Sequence, residues 1–194
     1  MIGLWILQQC RAIWAANGQD YSYSELVQLA EQAEPLAAIF NPNDPIFLQP
    51  GDFPQCIRDF CQRTGQPVPQ TVGAVVRSVL ESLALAYREV LEQVTAVAKQ
   101  TVSVLHIVGG GTQNRLLNQL TANATGLPVV TGPIEATVMG NALVQLITLG
   151  EIGDLRQARQ IVTGMTELKR YEPEGTAVWD DMYGRYQQII KKSA

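Results

Sequence analysis

One stretch of this chain has residue types whose order points to ligand chemistry: Leu105-His106-Ile107-Val108-Gly109-Gly110-Gly111-Thr112-Gln113-Asn114-Arg115-Leu116-Leu117-Asn118-Gln119. An apolar run passes through three glycines and into a helix-forming segment. Glycines allow positive φ and let backbone approach a ligand closely. A helix N-terminus adds unpaired N–H groups and partial positive charge, which suits a phosphate. Asn114 is expected in the first helical turn, placed to hydrogen-bond a base or sugar. The dinucleotide pattern G-x-G-x-x-G fails because Asn114 occupies the last glycine position, and no Gly-Lys-Ser/Thr follows to make a Walker loop. On pattern alone, a tight strand-to-helix turn with no ligand is equally open.

Nothing else in the chain reads as catalytic. Asp44, Asp52 and Glu135 stand in loop-like positions and read as caps or turn residues. His106, the single histidine, lies inside an apolar run and reads as a core residue, and one histidine rules out a His-rich metal site. Cys10, Cys56 and Cys61 lack metal-ligand spacing and read as free thiols of a cytoplasmic protein. No catalytic residue and no metal ligand is assigned.

The elements that must position the bend are mostly helical. Residues 3–16 predict a helix with apolar residues around most of its circumference and no cap, as in a helix buried on all sides within a larger fold. Ser24 is expected to cap a second helix to about Ala33. Phe40-Asn41-Pro42-Asn43-Asp44-Pro45 and Gln49-Pro50-Gly51-Asp52 predict rigid loops, and Asp52 is expected to cap a short helix ending near Gly65. The longest helix is predicted from Thr71 to Lys99, with Val72, Val76, Val79, Leu83, Val90 and Val94 on one face. Strands are expected at Val102–Val108 and Val129–Thr131, apolar on both faces as in a covered sheet. A helix over 113–124 separates them. Helices follow at 135–149, where Glu135 caps and Gly140 permits close packing, and at 155–162. An extended piece over 168–171 precedes a C-terminal helix over 176–192, whose Lys191-Lys192 end suits the helix dipole.

The chain resembles the C-terminal domain of the FGGY carbohydrate kinases. The resemblance rests on Gly3-Leu4-Trp5-Ile6-Leu7-Gln8, Asn41-Pro42-Asn43-Asp44, the glycine segment through Asn114, Leu116-Leu117-Asn118-Gln119-Leu120, and Gly132-Pro133-Ile134-Glu135-Ala136-Thr137 with Gly140-Asn141. The Leu-Trp-Ile-Leu-Gln helix and the Asn-Pro-Asn-Asp loop point to a ketose-phosphorylating branch. The resemblance implies a helix-rich α/β fold over residues 1–194: a partial C-terminal lobe of an actin-like ATPase (ribonuclease H-like) fold, with early strands missing. It implies nucleotide-binding roles for Gln8, Gly109, Gly110, Gly111 and Asn114, and ATP with Mg²⁺ as cofactor. The family's catalytic aspartate and sugar contacts correspond to no residue here. Two origins stay open: half of a split enzyme, whose partner is a separately encoded N-terminal kinase lobe, or the product of a truncated gene. A non-catalytic nucleotide-binding or interaction module derived from such a kinase stays open as the alternative.

Bulk properties fit this reading. Hydrophobic residues make up 46% and charged residues 16% of 194 positions, as in a globular chain. Net charge is −4 without a basic run, which excludes the footprint of a nucleic-acid binder. No signal peptide or membrane span is read. An unpaired strand edge and an apolar helix surface would lie open in the isolated chain. Self-association is the expected outcome in sedimentation velocity; a monodisperse monomer with a sharp cooperative melt contradicts it.

Overall fold

The computed structural model describes residues 3–49 and 51–193. The expectations for Met1, Ile2 and Pro50 lie outside the described residues, as does the side chain of Lys192. Helix α1 (Trp5–Ala16) starts without a side-chain cap and buries Ile6, Leu7, Cys10 and Trp14. It is not buried all round: Trp5 stays 38% exposed even though its ring meets Phe53 edge-on at 5.2 Å. Helix α2 (Tyr23–Gln32) is capped by Ser22, not Ser24. Ser22 lies three residues before Glu25, so each side chain reaches the other's backbone amide in a capping box, at 3.2 and 2.7 Å. Ser24 has no acidic partner at that spacing.

Asn41-Pro42-Asn43-Asp44 forms a turn in which the Asn43 amide donates to Asn41 Oδ1, and Asp44 caps a short 3-10 turn over Pro45–Leu48. Asp52 caps α3 (Phe53–Arg63) through the Gln55 amide. Helix α4 (Val72–Ala98) runs from a Thr71 cap to Lys99, which ends it in the left-handed region. Its first half, Gly73 to Ala86, is almost wholly buried. Beyond that the expected apolar face is bare: Val90, Val94 and Val97 are exposed. The helix outruns what packs on it among the described residues.

Strand β1 (Leu105–Ile107) leads through the glycines to α5 (Arg115–Thr125) and β2 (Val129–Thr131). Helices α6 (Ala136–Thr148) and α7 (Leu155–Met165) follow, then β3 (Arg170–Tyr171) and α8 (Thr176–Ser193). The sheet has the order β1-β2-β3, with β1 parallel to β2 and β3 antiparallel to it. Leu105 pairs with Val129 and Val129 with Tyr171. Strand β2 has the expected bounds, β1 and β3 are shorter than expected, and β1 is not covered on both faces: His106 is exposed, so it is no core residue. Helix α6 buries no residue, Glu135 makes no capping bond, and Gly140 faces open space. Among the described residues, nothing packs on His106 or on α6 closely enough to bury them. No described helix is long and apolar enough to cross a membrane.

The core lies around α4, where Leu26, Phe40, Phe47, Phe60, Val76, Val79, Leu80, Leu83, Leu120 and Tyr186 form one cluster. Gly73 sets the approach of α4 to α2. A Cβ there would stand 2.3 Å from the Leu29 carbonyl oxygen, a backbone atom that cannot swing away. Gly73→Ala is therefore expected to push α2 off α4 and cost about 1–3 kcal/mol in chemical denaturation.

Candidate functional site

Gly109 takes φ +80°, a conformation that favours glycine. Its amide donates to the Pro133 carbonyl at 2.9 Å, tying the bend to the loop after β2. Its carbonyl accepts from the Thr112 amide at 3.1 Å and from Thr112 Oγ1 at 2.8 Å. The chain then makes a 3-10 turn over Gly110–Gln113 before α5 begins. Asn114 is the cap of α5 and not a first-turn residue: its Oδ1 accepts from the Leu117 amide at 3.0 Å. The leading amides of a 3-10 turn have no partner within the turn, which leaves those of Gly110 and Gly111 without a bond inside it.

Asn118, whose role the sequence pattern did not reveal, steadies this bend. It is fully buried, and its Nδ2 donates to the Thr112 carbonyl at 3.0 Å. An Asn four residues into a helix carries no local signal for a contact back to the preceding turn.

The bend opens on a cleft of about 580 Å³, within the usual size for a small-molecule site. Gln8, Gly110, Gly111 and Asn114 all line it. Gly109 does not; it shapes the turn. The same cleft takes Leu4 and Leu7 from α1, Tyr23, Ser24, Val27 and Gln28 from the α2 side, and Gln113 and Arg115 from the bend. The α2 residues were not foreseen, because nothing in their spacing shows that this helix shares a cleft with the glycines. Arg115 meets Glu31 at 2.8 Å and so links α5 to the end of α2.

The cleft is apolar at Leu4, Leu7 and Val27 and polar at the bend. Its lining holds no carboxylate, so these residues offer neither a general base nor an anionic ligand to Mg²⁺. Among the described residues, no group of three or more His, Cys, Asp or Glu is placed to hold a metal ion. The three cysteines are free. Burial pushes the Cys10 thiol up to about 12 and that of Cys61 to about 11, which makes both poor nucleophiles. A larger cleft of about 700 Å³ is lined by Asp44, Arg63, Gln66 and Arg185 among others and contains none of the glycine bend.

Comparison with known proteins gives a consistent picture. Residues 1–149 match the model of the FGGY family of carbohydrate kinases, C-terminal domain. A rhamnulokinase from Bacteroides thetaiotaomicron is 44% identical over 97% of this chain and 38% of its own length. One from Ligilactobacillus salivarius is 35% identical over 99% of this chain and 39% of its own length. The chain thus spans well under half the length of these relatives. Among solved structures, a xylulose kinase from Rhodospirillum rubrum superposes with TM-score 0.70 at 20% identity, covering 96% of this chain and 37% of that one. A Plasmodium falciparum glycerol kinase solved with ADP gives 0.67 at 14% identity, covering 94% and 36%. These likenesses give the fold: part of the C-terminal lobe of sugar kinases built on the actin-like ATPase plan.

Asn118→Ala is expected to free the Thr112 carbonyl and cost about 1–3 kcal/mol. Amide hydrogen exchange should quicken at Thr112 and Asn114 while the α4 core stays protected.

Proposed function

The chain belongs to the FGGY family of carbohydrate kinases, and from that premise we propose that it is the nucleotide-binding part of a rhamnulokinase-like kinase, a single domain that receives ATP or ADP in the cleft at the glycine bend. One observation carries this reading. Gln8, from the first helix, lines one cleft of ligand size with Gly110, Gly111 and Asn114 of the glycine segment far along the chain. The ADP held by the solved glycerol kinase relative supports the ligand class.

In this reading the bend contributes backbone, not charge. Gly110 and Gly111 present no side chain, so the nucleotide packs directly on the turn and meets the amides left without a bond inside it. Asn114 Oδ1 is committed to capping, which leaves its amide nitrogen to face the ligand. Gln8 closes the α1 side. Phosphoryl transfer also needs a group to orient the attacking hydroxyl and a cation to neutralise the phosphates. The cleft lining provides neither, so the chain alone does not phosphorylate sugar. The remaining length of the relatives supplies the sugar contacts and the base, and covers the bare face at β1 and α6. The complete enzyme phosphorylates a ketose such as L-rhamnulose with ATP and Mg²⁺.

Isothermal titration with ADP and ATP tests the nucleotide claim. Binding by the chain is expected. Gly110→Val should abolish it with a melting temperature within about 2 °C of the parent, since a Cβ at Gly110 meets nothing within 4 Å. Absence of binding, even with a rhamnulokinase N-terminal portion supplied in trans, sinks the assignment. Sugar phosphorylation by the chain alone sinks the division of labour. Binding without turnover after the N-terminal portion is supplied favours the non-catalytic module.

A further inference from the structure

The cleft has an aromatic wall that the glycine bend does not account for. Tyr23 is the first residue of α2, is 48% exposed, and lines the cleft beside Val27. Its backbone is fixed by the Ser22–Glu25 capping box directly before it. The guanidinium of Arg11 stands over the ring, with Cζ 5.1 Å from the centroid, within cation–π range. Arg11 covers one face of the ring and is not itself among the residues that line the cleft. The arginine is itself held: Nε donates to the Tyr21 carbonyl and Nη2 to Asp20 Oδ1 at 3.1 Å. Tyr21 is wedged edge-on against Trp14, with centroids 6.1 Å apart. The aromatic plate is thus anchored at its backbone and supported on one side. The cleft it lines also takes Leu4, Leu7 and Val27.

Resting on the nucleotide reading, we infer that Tyr23 is the stacking platform for the base of the bound nucleotide, and that Arg11 holds its ring in place. A base has a flat π face and a polar edge. An exposed aromatic face beside aliphatic side chains matches the first, and Gln28, on the same helix and in the same cleft, offers both a donor and an acceptor to the second. The phenol hydroxyl is not needed for stacking, so the ring and not the oxygen carries the interaction. Tyr23 is a binding residue that touches ligand; Arg11 is a positioning residue that acts through it.

ADP titration of the parent chain, Tyr23→Phe, Tyr23→Leu and Tyr23→Ala tests this, with melting curves to confirm folding. Tyr23→Phe should bind within about twofold of the parent. Tyr23→Leu and Tyr23→Ala should each weaken binding about tenfold or more, the range of a lost base–aromatic stack. The adenine H2 and H8 resonances of bound ADP should move upfield with the parent and Tyr23→Phe, a ring-current effect that a purely structural role would not produce. Arg11→Gln should weaken binding by a smaller factor and reduce that shift. Unchanged affinity in Tyr23→Ala, full affinity in Tyr23→Leu, or an upfield shift that persists without the ring overturns the platform while leaving the nucleotide site standing. No ADP binding by the parent chain overturns the nucleotide reading itself, and the platform with it.

Discussion

Burial of the first half of α4, from Gly73 to Ala86, is the constraint on which the cleft depends. Helix α2 lies against this half at Gly73, close enough that only a residue without a side chain fits under the Leu29 carbonyl. Helix α5 packs on α4 as well and places Leu117 and Leu120 in the same core. The cleft is lined by residues of α1 and α2 and by the bend that leads into α5, so the spacing of its sides is set from behind, by apolar packing. A close-packed interior transmits small shifts because it has no slack to absorb them. That Tyr23 and Gly110 line one cleft is in that sense a property of the core.

The bend solves a different problem, that of presenting backbone to a ligand while leaving few polar groups unsatisfied. The Gly109 amide is used by Pro133, the Thr112 amide by Gly109 and the Asn114 amide by Gly111. Asn118 takes the Thr112 carbonyl and Asn114 the first turn of α5. With those groups committed, the amides left without a bond inside the turn are the ones at Gly110 and Gly111, where no side chain obstructs them. A comparable economy appears at Glu81, a fully buried carboxylate beneath the loop that follows α2. Burial raises its pKa, while Arg77 and the Leu36 amide at 2.9 Å counter that and tie the loop to α4.

The two halves of the molecule are unequal in their packing. The helices up to α4, with α5 and α8, share a single core. The sheet and α6 leave Val108, Ile134, Val138, Val144 and Leu149 exposed. Apolar surface of this extent on a globular chain is unusual unless it is an interface. The relatives run well beyond the stretch matched here, and the sheet of this chain ends at β1 with an edge unpaired among the described residues.

Much of this was legible in the sequence because much of it is local. The limits of α4, the cap at Asp52, the turn at Asn41–Asp44 and the strand–glycine–helix order all follow from bonds that close within about four residues. The family was legible from short motifs, and with it the candidate residues Gln8, Gly109, Gly110, Gly111 and Asn114. Local rules misled at Ser24, where the capping box at Ser22 wins on spacing, and at His106, where an apolar neighbourhood in sequence is an open face in space. Only the tertiary structure decided that Gln8 shares a cleft with Gly110 and Gly111, that Gly109 is not among its lining residues, and that Tyr23 and Gln28 are. Those relations join residues far apart along the chain. They are set by how α1, α2 and α5 seat on α4, which no periodicity within any one of these helices encodes.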